Sequence, residues 1–131
     1  MDLIYTTEFP MKEDLYTLYD NLGWNDELKL SPEQLLAAMK QSWYSIYVYS
    51  DKKLVATGRV VSDGITDAYV CGLGVNSNFR SQRIGIEICR RLVEHCIDNN
   101  LHIQLFCEEN LVPYYEKMGF EKFAMGMRVK K

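Results

Sequence analysis

The chain has 131 residues and a mass of 15.3 kDa, with 47% hydrophobic and 25% charged residues and a formal net charge of −3. That length suits one domain, residues 1–131, able to bury about two-thirds of the surface its unfolded chain exposes, and the composition excludes an intrinsically disordered chain. The acidic balance gives no global support for nucleic-acid or anionic-membrane partners, no run reaches the ~18 apolar residues of a membrane span, and MDLIYTTEFPMKEDL lacks the basic-then-apolar pattern of a secretory signal.

The elements follow in chain order. A short strand is predicted over Leu3–Tyr5. A helix follows from about Met11 to Asn21, because Leu15, Leu18, Tyr19 and Leu22 share one helical face, and Gly23 is placed to stop it. Ser31, Pro32 and Gln34 form a helix-start signal with a capping box, and Leu35, Leu36 and Met39 supply that helix's apolar face. The pattern then changes to strands at 44–50, 54–62 and about 67–75, with Asp51-Lys52-Lys53 and Asp63-Gly64 as turns, which reads as an antiparallel meander. After the polar loop NSNFRSQRIG a long helix runs to about Asn99, with Ile88, Cys89, Leu92, Val93, Cys96 and Ile97 on one face. A strand at 102–107, a short helix from Leu111 to Met118 closed by Gly119, and a last strand from Phe123 to Val129 complete the chain. A strand, crossover helix and strand imply that 67–75 and 102–107 are parallel neighbours joined by a right-handed crossover, so the class is α+β or α/β with a mixed sheet.

The segment that carries chemistry is Leu73-Gly74-Val75-Asn76-Ser77-Asn78-Phe79-Arg80-Ser81-Gln82-Arg83-Ile84-Gly85-Ile86. A strand ends at Val75, and a loop with two arginines opens directly into the long helix. The first turn of a helix presents unpaired N–H groups and the positive end of its dipole, which together make an anion site. Arg80 and Arg83 add forked donors, and Gly85 allows close backbone approach. The same arginines read equally well as solvated surface residues before an ordinary helix. No P-loop or G-x-G-x-x-G pattern is present.

Arg80-Ser81-Gln82-Arg83-Ile84-Gly85, with Leu73 and Val75 upstream, resembles the acetyl-coenzyme A motif of the GNAT N-acetyltransferase superfamily, Q/R-x-x-G-x-G/A. Downstream, Asn110 and Tyr115-Glu116-Lys117-Met118-Gly119-Phe120 resemble the second signature of that family, one helix and one strand further on. The resemblance covers nearly the whole chain and includes Gly23-Trp24 and Arg59-Val60-Val61-Ser62-Asp63-Gly64. It implies a GNAT-like mixed sheet of six to seven strands flanked by helices, with the strands at 67–75 and 102–107 splayed apart. One departure stands out: the first motif glycine falls on Arg83, and Ser81 replaces a second common glycine.

The resemblance implies acetyl-coenzyme A as cosubstrate and no metal. Backbone groups of Leu73 and Val75 would pair with the pantetheine arm. Arg80, Gln82, Arg83, Ile84, Gly85 and Ile86 would hold the pyrophosphate, with Asn110 near the thioester. A primary amine, on a small molecule or a peptide, would attack the acetyl carbonyl directly, and Tyr115 would protonate the departing thiolate. A phenol of pKa about 10 and a thiol of about 8.5 are compatible partners for that step. Tyr114 is its neighbour and competitor, and a core aromatic is the structural alternative. No general base is identified: the strand around Cys71 carries no carboxylate, and Asp26, Asp67, Glu108 and Glu109 remain candidates. The Trp24-Asn25-Asp26-Glu27 loop is where family members shape the acceptor site.

The cysteines Cys71, Cys89, Cys96 and Cys107 contain no CxxC pair, and only two histidines accompany them, so a zinc site is not expected and reduced thiols in a cytoplasmic protein are. Core packing is the preferred reading for all four, and His95 is read as an exposed helix residue. Two other functions stay open. One is a non-catalytic acyl-coenzyme A sensor or interaction module, motivated by the altered glycine loop. The other is nucleic-acid binding, motivated only by Arg80, Arg83, Arg90 and Arg91. A homodimer is compatible with a domain of this size, with no interface indicated.

Overall fold

The computed structural model describes residues 2–131. Its elements are β1 (Leu3–Thr6), α1 (Lys12–Asn21), α2 (Asn25–Leu28), α3 (Pro32–Lys40), β2 (Tyr44–Ser50), β3 (Lys53–Ser62), β4 (Asp67–Val75), α4 (Ile84–Asp98), β5 (His102–Gln104) and α5 (Val112–Glu116), with 3-10 segments at Ser77–Gln82 and Glu109–Leu111. The strands form one sheet in the order β1-β2-β3-β4-β5. All neighbours pair antiparallel except β4 and β5, which are parallel and joined through α4.

Local chemistry explains most of these boundaries. Ser31 accepts from the Gln34 amide at 3.1 Å and the Gln34 side chain accepts from the Ser31 amide at 2.9 Å, so both halves of the predicted capping box form. Gly23 takes φ +78° immediately beyond α1, and its N–H donates to the Asp20 carbonyl at 3.0 Å. Asp63 holds the β3–β4 turn by accepting from the amides of Ile65 and Thr66, both at 2.8 Å.

The sheet separates two apolar clusters. On one face α4 sets Ile84, Ile88, Leu92 and Cys96 against Ile46, Val48, Val60, Ala68 and Val70. On the other, α1 and α3 set Leu15, Leu18, Tyr19, Leu35 and Met39 against Tyr47 and Leu54. Alternation along β2 divides Ile46 and Val48 from Tyr47, the period-2 arrangement of a strand buried on both faces. Burial of the Tyr47 phenol pushes its pKa up to about 12, and its hydroxyl lies 2.8 Å from the Ser45 hydroxyl, to which it donates.

The α+β class and the parallel pair are as expected, and several details differ. The sheet has five strands, not six to seven. β5 ends at Gln104 rather than Cys107, and the expected helix from Leu111 to Met118 is a 3-10 turn followed by the five residues of α5. The segment Phe123–Val129 is not a strand. Its alternating apolar residues Phe123, Met125, Met127 and Val129 are 64%, 86%, 93% and 83% exposed, so the pattern that suggests a strand meets no neighbouring strand, although Phe123 stands edge-on to His102 at 5.8 Å. On α4 the buried stripe omits Ile97, which is 59% exposed. His95 is not a free surface residue: its ring stacks on Tyr44 with centroids 3.8 Å apart and lies 5.0 Å from Trp43.

Candidate active site

The site begins where two strands part. β4 and β5 pair only from Asp67↔His102 to Tyr69↔Gln104. From Val70 to Val75, β4 therefore has a free edge toward β5. On its other edge the register with β3 slips: Thr57 faces Gly74 while Arg59 faces Cys71, so β4 spends one more residue than β3. Gly72 sits in this bulge at φ +60°, a left-handed conformation that suits glycine. The result is a slot along Leu73 to Val75 that is unpaired on its β5 side.

At the end of that slot the chain turns into α4. Asn76 is buried and accepts from the Asn78 amide at 2.9 Å, while its own amide donates to the Val55 carbonyl at 2.7 Å, which pins the turn to β3. Arg80 Nε donates to the Val75 carbonyl at 3.2 Å. Arg83 is the N-cap residue of α4 with φ 58° and ψ 24°, and no side chain caps the helix. The first-turn amides of Ile84, Gly85 and Ile86 are thereby left open. The motif departure thus has a conformational answer: Arg83 adopts the left-handed geometry that a glycine would take freely. A Cβ on Gly85 would lie 3.1 Å from the Tyr114 hydroxyl and 3.7 Å from Val75 Cγ2, so Gly85 forms the narrow floor where β4, α4 and α5 meet.

The two tyrosines of α5 divide as adjacent helical positions must. Tyr114 points its hydroxyl at Gly85, and the charge of Arg83 acts on it. Tyr115 is half-buried, edge-on to Tyr114 at 5.1 Å and to Phe120 at 5.9 Å. Burial pushes the Tyr115 phenol up to about 12, with Cys89, Tyr114 and Cys107 adding to the shift. It therefore holds its proton through neutral pH. Asn110 lies exposed on the 3-10 turn before α5.

The remaining candidates scatter. Asp67 accepts from Gln104 at 3.0 Å and meets His102 at 3.3 Å, at the closed end of the β4–β5 pair. Asp26, Glu108 and Glu109 are exposed. Cys89 and Cys96 are buried as expected, Cys71 is half-buried, and Cys107 is exposed, contrary to the core packing expected of it. Burial raises the Cys71 thiol pKa, which opposes a thiolate role. Of the arginines Arg80, Arg83, Arg90 and Arg91, the last two are committed elsewhere: Arg90 pairs with Glu87 and Glu94 at 2.6 and 2.5 Å, and Arg91 pairs with Glu87 at 2.7 Å and lies over the Tyr5 ring.

On the α1 face of the bulge the structure adds Arg59 and Tyr19, which sequence reasoning did not place in a site, beside Trp24 of the expected acceptor loop; the three converge on Gly72 and Gly74. Trp24 stands edge-on to Tyr19 at 5.1 Å, and its ring covers Gly74. The signal was present in Arg59, a charge in the middle of the otherwise uncharged run Leu54–Ser62.

Comparison with known proteins bears on the family and the fold. The model of the acetyltransferase (GNAT) family matches residues 5–120. Among curated proteins, a histone acetyltransferase of Glycine max, TAP1, is 24% identical over 88% of this chain and 54% of its own length. An uncharacterised N-acetyltransferase of Pyropia yezoensis, ycf52, is 27% identical over 88% of this chain and 67% of its own length. The chain spans about half the length of the first of these relatives. Among solved structures, a Staphylococcus aureus protein described as a probable acetyltransferase superposes with a TM-score of 0.84 at 20% identity, covering 99% of this chain and 100% of its own. A Clostridium acetobutylicum protein described as a predicted acetyltransferase, solved with acetyl-CoA, gives 0.70 at 14% identity, covering 98% and 96%.

Proposed function

The chain belongs to the GNAT acetyltransferase family, and we propose that it transfers the acetyl group of acetyl-coenzyme A to a primary amine by direct attack. The observation that carries this reading is the continuity of the free β4 edge with the uncapped N-terminus of α4. An extended amide-bearing arm pairs with a strand edge, and a pyrophosphate seats on helix N–H groups. Leu73 and Val75 offer the edge. Ile84, Gly85 and Ile86 offer the amides, with Arg80, Gln82 and Arg83 in the adjoining loop and Asn110 on the turn before α5. The bound cosubstrate supplies an activated acetyl thioester.

The protein's own contribution is orientation and one proton. The bulge at Gly72–Leu73 frees backbone groups from the β3 ladder beside the slot, where they can polarise a carbonyl. Tyr115 protonates the departing thiolate. Burial keeps it protonated at neutral pH. Because a phenol near pKa 12 is a weaker acid than the thiol it forms, the transfer accompanies C–S cleavage and is drawn forward by release of the acceptor amine's proton to solvent, from which Tyr115 regains its own. β4 carries no carboxylate beyond Asp67, so an acceptor that reaches the slot as a neutral amine fits this site best.

Calorimetric titration with acetyl-coenzyme A, with ATP as comparison, tests the reading. Saturable binding that weakens at least tenfold in the Arg80→Ala, Arg83→Ala double variant is expected, followed by turnover on an amine panel. Absence of binding at millimolar cosubstrate would remove the acetyltransferase reading. Tight binding without turnover on any amine would favour an acyl-coenzyme A sensor.

A further inference from the structure

The middle of β3 holds a guanidinium among neutral neighbours. The register sets Arg59 between Ser45 of β2 and Cys71 of β4 on the α1 face. Its Nη1 donates to the Ser42 hydroxyl at 3.2 Å. Its Nε is buried and has no hydrogen-bond partner. A Cβ at Gly72 would stand 3.4 Å from this Nε and 3.4 Å from the Tyr19 hydroxyl, so the bulge of β4, the phenol and the guanidinium meet at one point. The titratable groups that feel the Arg59 charge are Tyr19, Tyr47 and Cys71, each of which burial keeps neutral. Among the described residues Arg59 enters no ion pair.

A partly buried cation with an orphaned donor and no counter-ion is costly, and substitution by an apolar residue would remove the cost. The placement suggests what supplies the missing charge. Arg59 lies against the bulge of β4 at Cys71 and Gly72, directly before the residues whose edge toward β5 is free. An acceptor amine alone gains nothing from a guanidinium and is repelled by it when protonated. An acceptor that also carries an anion gains a charge-assisted, forked contact, and in the same step neutralises Arg59.

We propose that Arg59, with Tyr19 and Ser42 beside it, forms the anion-recognising end of the acceptor pocket, and that the acceptor is an amine bearing a carboxylate or a phosphate. This rests on the acetyltransferase reading above. The test compares kcat/KM within matched pairs: L-amino acids against their carboxamides, and 2-aminoethyl phosphate against ethanolamine. The anionic member of one pair is expected to be preferred by about 10- to 100-fold, the range of one charged hydrogen bond. The carboxylate pair and the phosphate pair distinguish the two anions. In Arg59→Gln the preference falls below about 3-fold, through a higher KM for the anionic member, and Arg59→Lys retains part of it. Thermal melting shows whether each variant is folded, and the wild-type pairs decide the matter if neither is. Equal rates within both pairs, or a preference unchanged in a folded Arg59→Gln, overturns the proposal while acetyl-coenzyme A binding leaves the acetyltransferase reading standing. A protein that does not bind acetyl-coenzyme A overturns both.

Discussion

Arg83 allows stability and cosubstrate affinity to be separated at one residue. Its backbone is left-handed, at φ 58° and ψ 24°, and its side chain is exposed with no hydrogen bond or ion pair to the rest of the described chain. For an L-residue that conformation costs about 1–2 kcal/mol, and a glycine there removes the cost while adding about 0.5–1 kcal/mol of unfolded-state freedom. Arg83→Ala keeps the strain and removes the charge; Arg83→Gly removes both. Arg83→Ala should melt within a degree or two of the parent, and Arg83→Gly should exceed Arg83→Ala by up to about 1 kcal/mol, or about 4 °C for a chain of this size. Both should bind acetyl-coenzyme A roughly 3- to 10-fold more weakly at low salt, with the gap closing as salt rises, since each loses the same exposed charge. Differential scanning fluorimetry and calorimetry read the two effects independently. A glycine variant less stable than the alanine variant would refute the left-handed assignment. Unaltered affinity in both would show that residue 83 does not face the pyrophosphate.

Four further outcomes follow from the packing and charge. Tyr115→Phe should lower kcat at least about 100-fold, within the range of a lost general acid, with acetyl-coenzyme A affinity changed little; wild-type turnover in that variant would remove Tyr115 from the chemistry. Because its phenol lies near 12, no alkaline loss of kcat below about pH 11 should trace to Tyr115 in a pH–rate profile. Gly74→Ala places a Cβ 2.5 Å from Trp24 Cη2 and 2.7 Å from Leu22 Cδ1, and overpacking of this kind should cost about 1–3 kcal/mol, read as a melting point about 4–10 °C lower and a shift in tryptophan fluorescence. Arg90 and Arg91 hold the Glu87 carboxyl down to about 2. A depressed carboxylate stabilises the fold above its ordinary pKa, and that contribution is lost as pH falls from about 4.5 toward 2. Glu87→Gln should therefore flatten the acid limb of stability over that window; an identical acid limb would mean the ion pairs contribute nothing in solution.

The residues differ in how much of this arrangement they disclose on their own. Ser31 and Gln34 announce the start of α3 because a capping box is a contact between neighbours in sequence. Leu15, Leu18 and Tyr19 announce a buried helical face because their spacing alone sets it. The meander of β2, β3 and β4 is legible for the same reason, as each turn is short and carries its own turn residues. The segment Phe123–Val129 shows the limit: period-2 alternation states that a strand has one apolar side, and says nothing about whether a neighbouring strand exists to meet it. His95 shows the same limit on a helix, where only the position of Tyr44 turns an outward-looking residue into a stacked one.

Within the site, the loop from Leu73 to Ile86 and the pairing of Tyr114 with Tyr115 were visible in the sequence, since strand end, arginines, glycine and helix start are contiguous. The parting of β4 from β5 after Tyr69, the extra residue that β4 inserts against β3, and the left-handed turn of Arg83 were not. Nor was the meeting of Arg59 with Tyr19 and Gly72, which brings together three elements up to 53 residues apart in the chain. Sequence by itself determined most of the helical and extended segments up to α4, and the contiguity of a strand end, two arginines and a helix start, because those properties reside in local spacing and backbone preference. Only the tertiary structure decided which strand edges stay unpaired and which charge stays uncompensated, because both depend on what lies opposite in space.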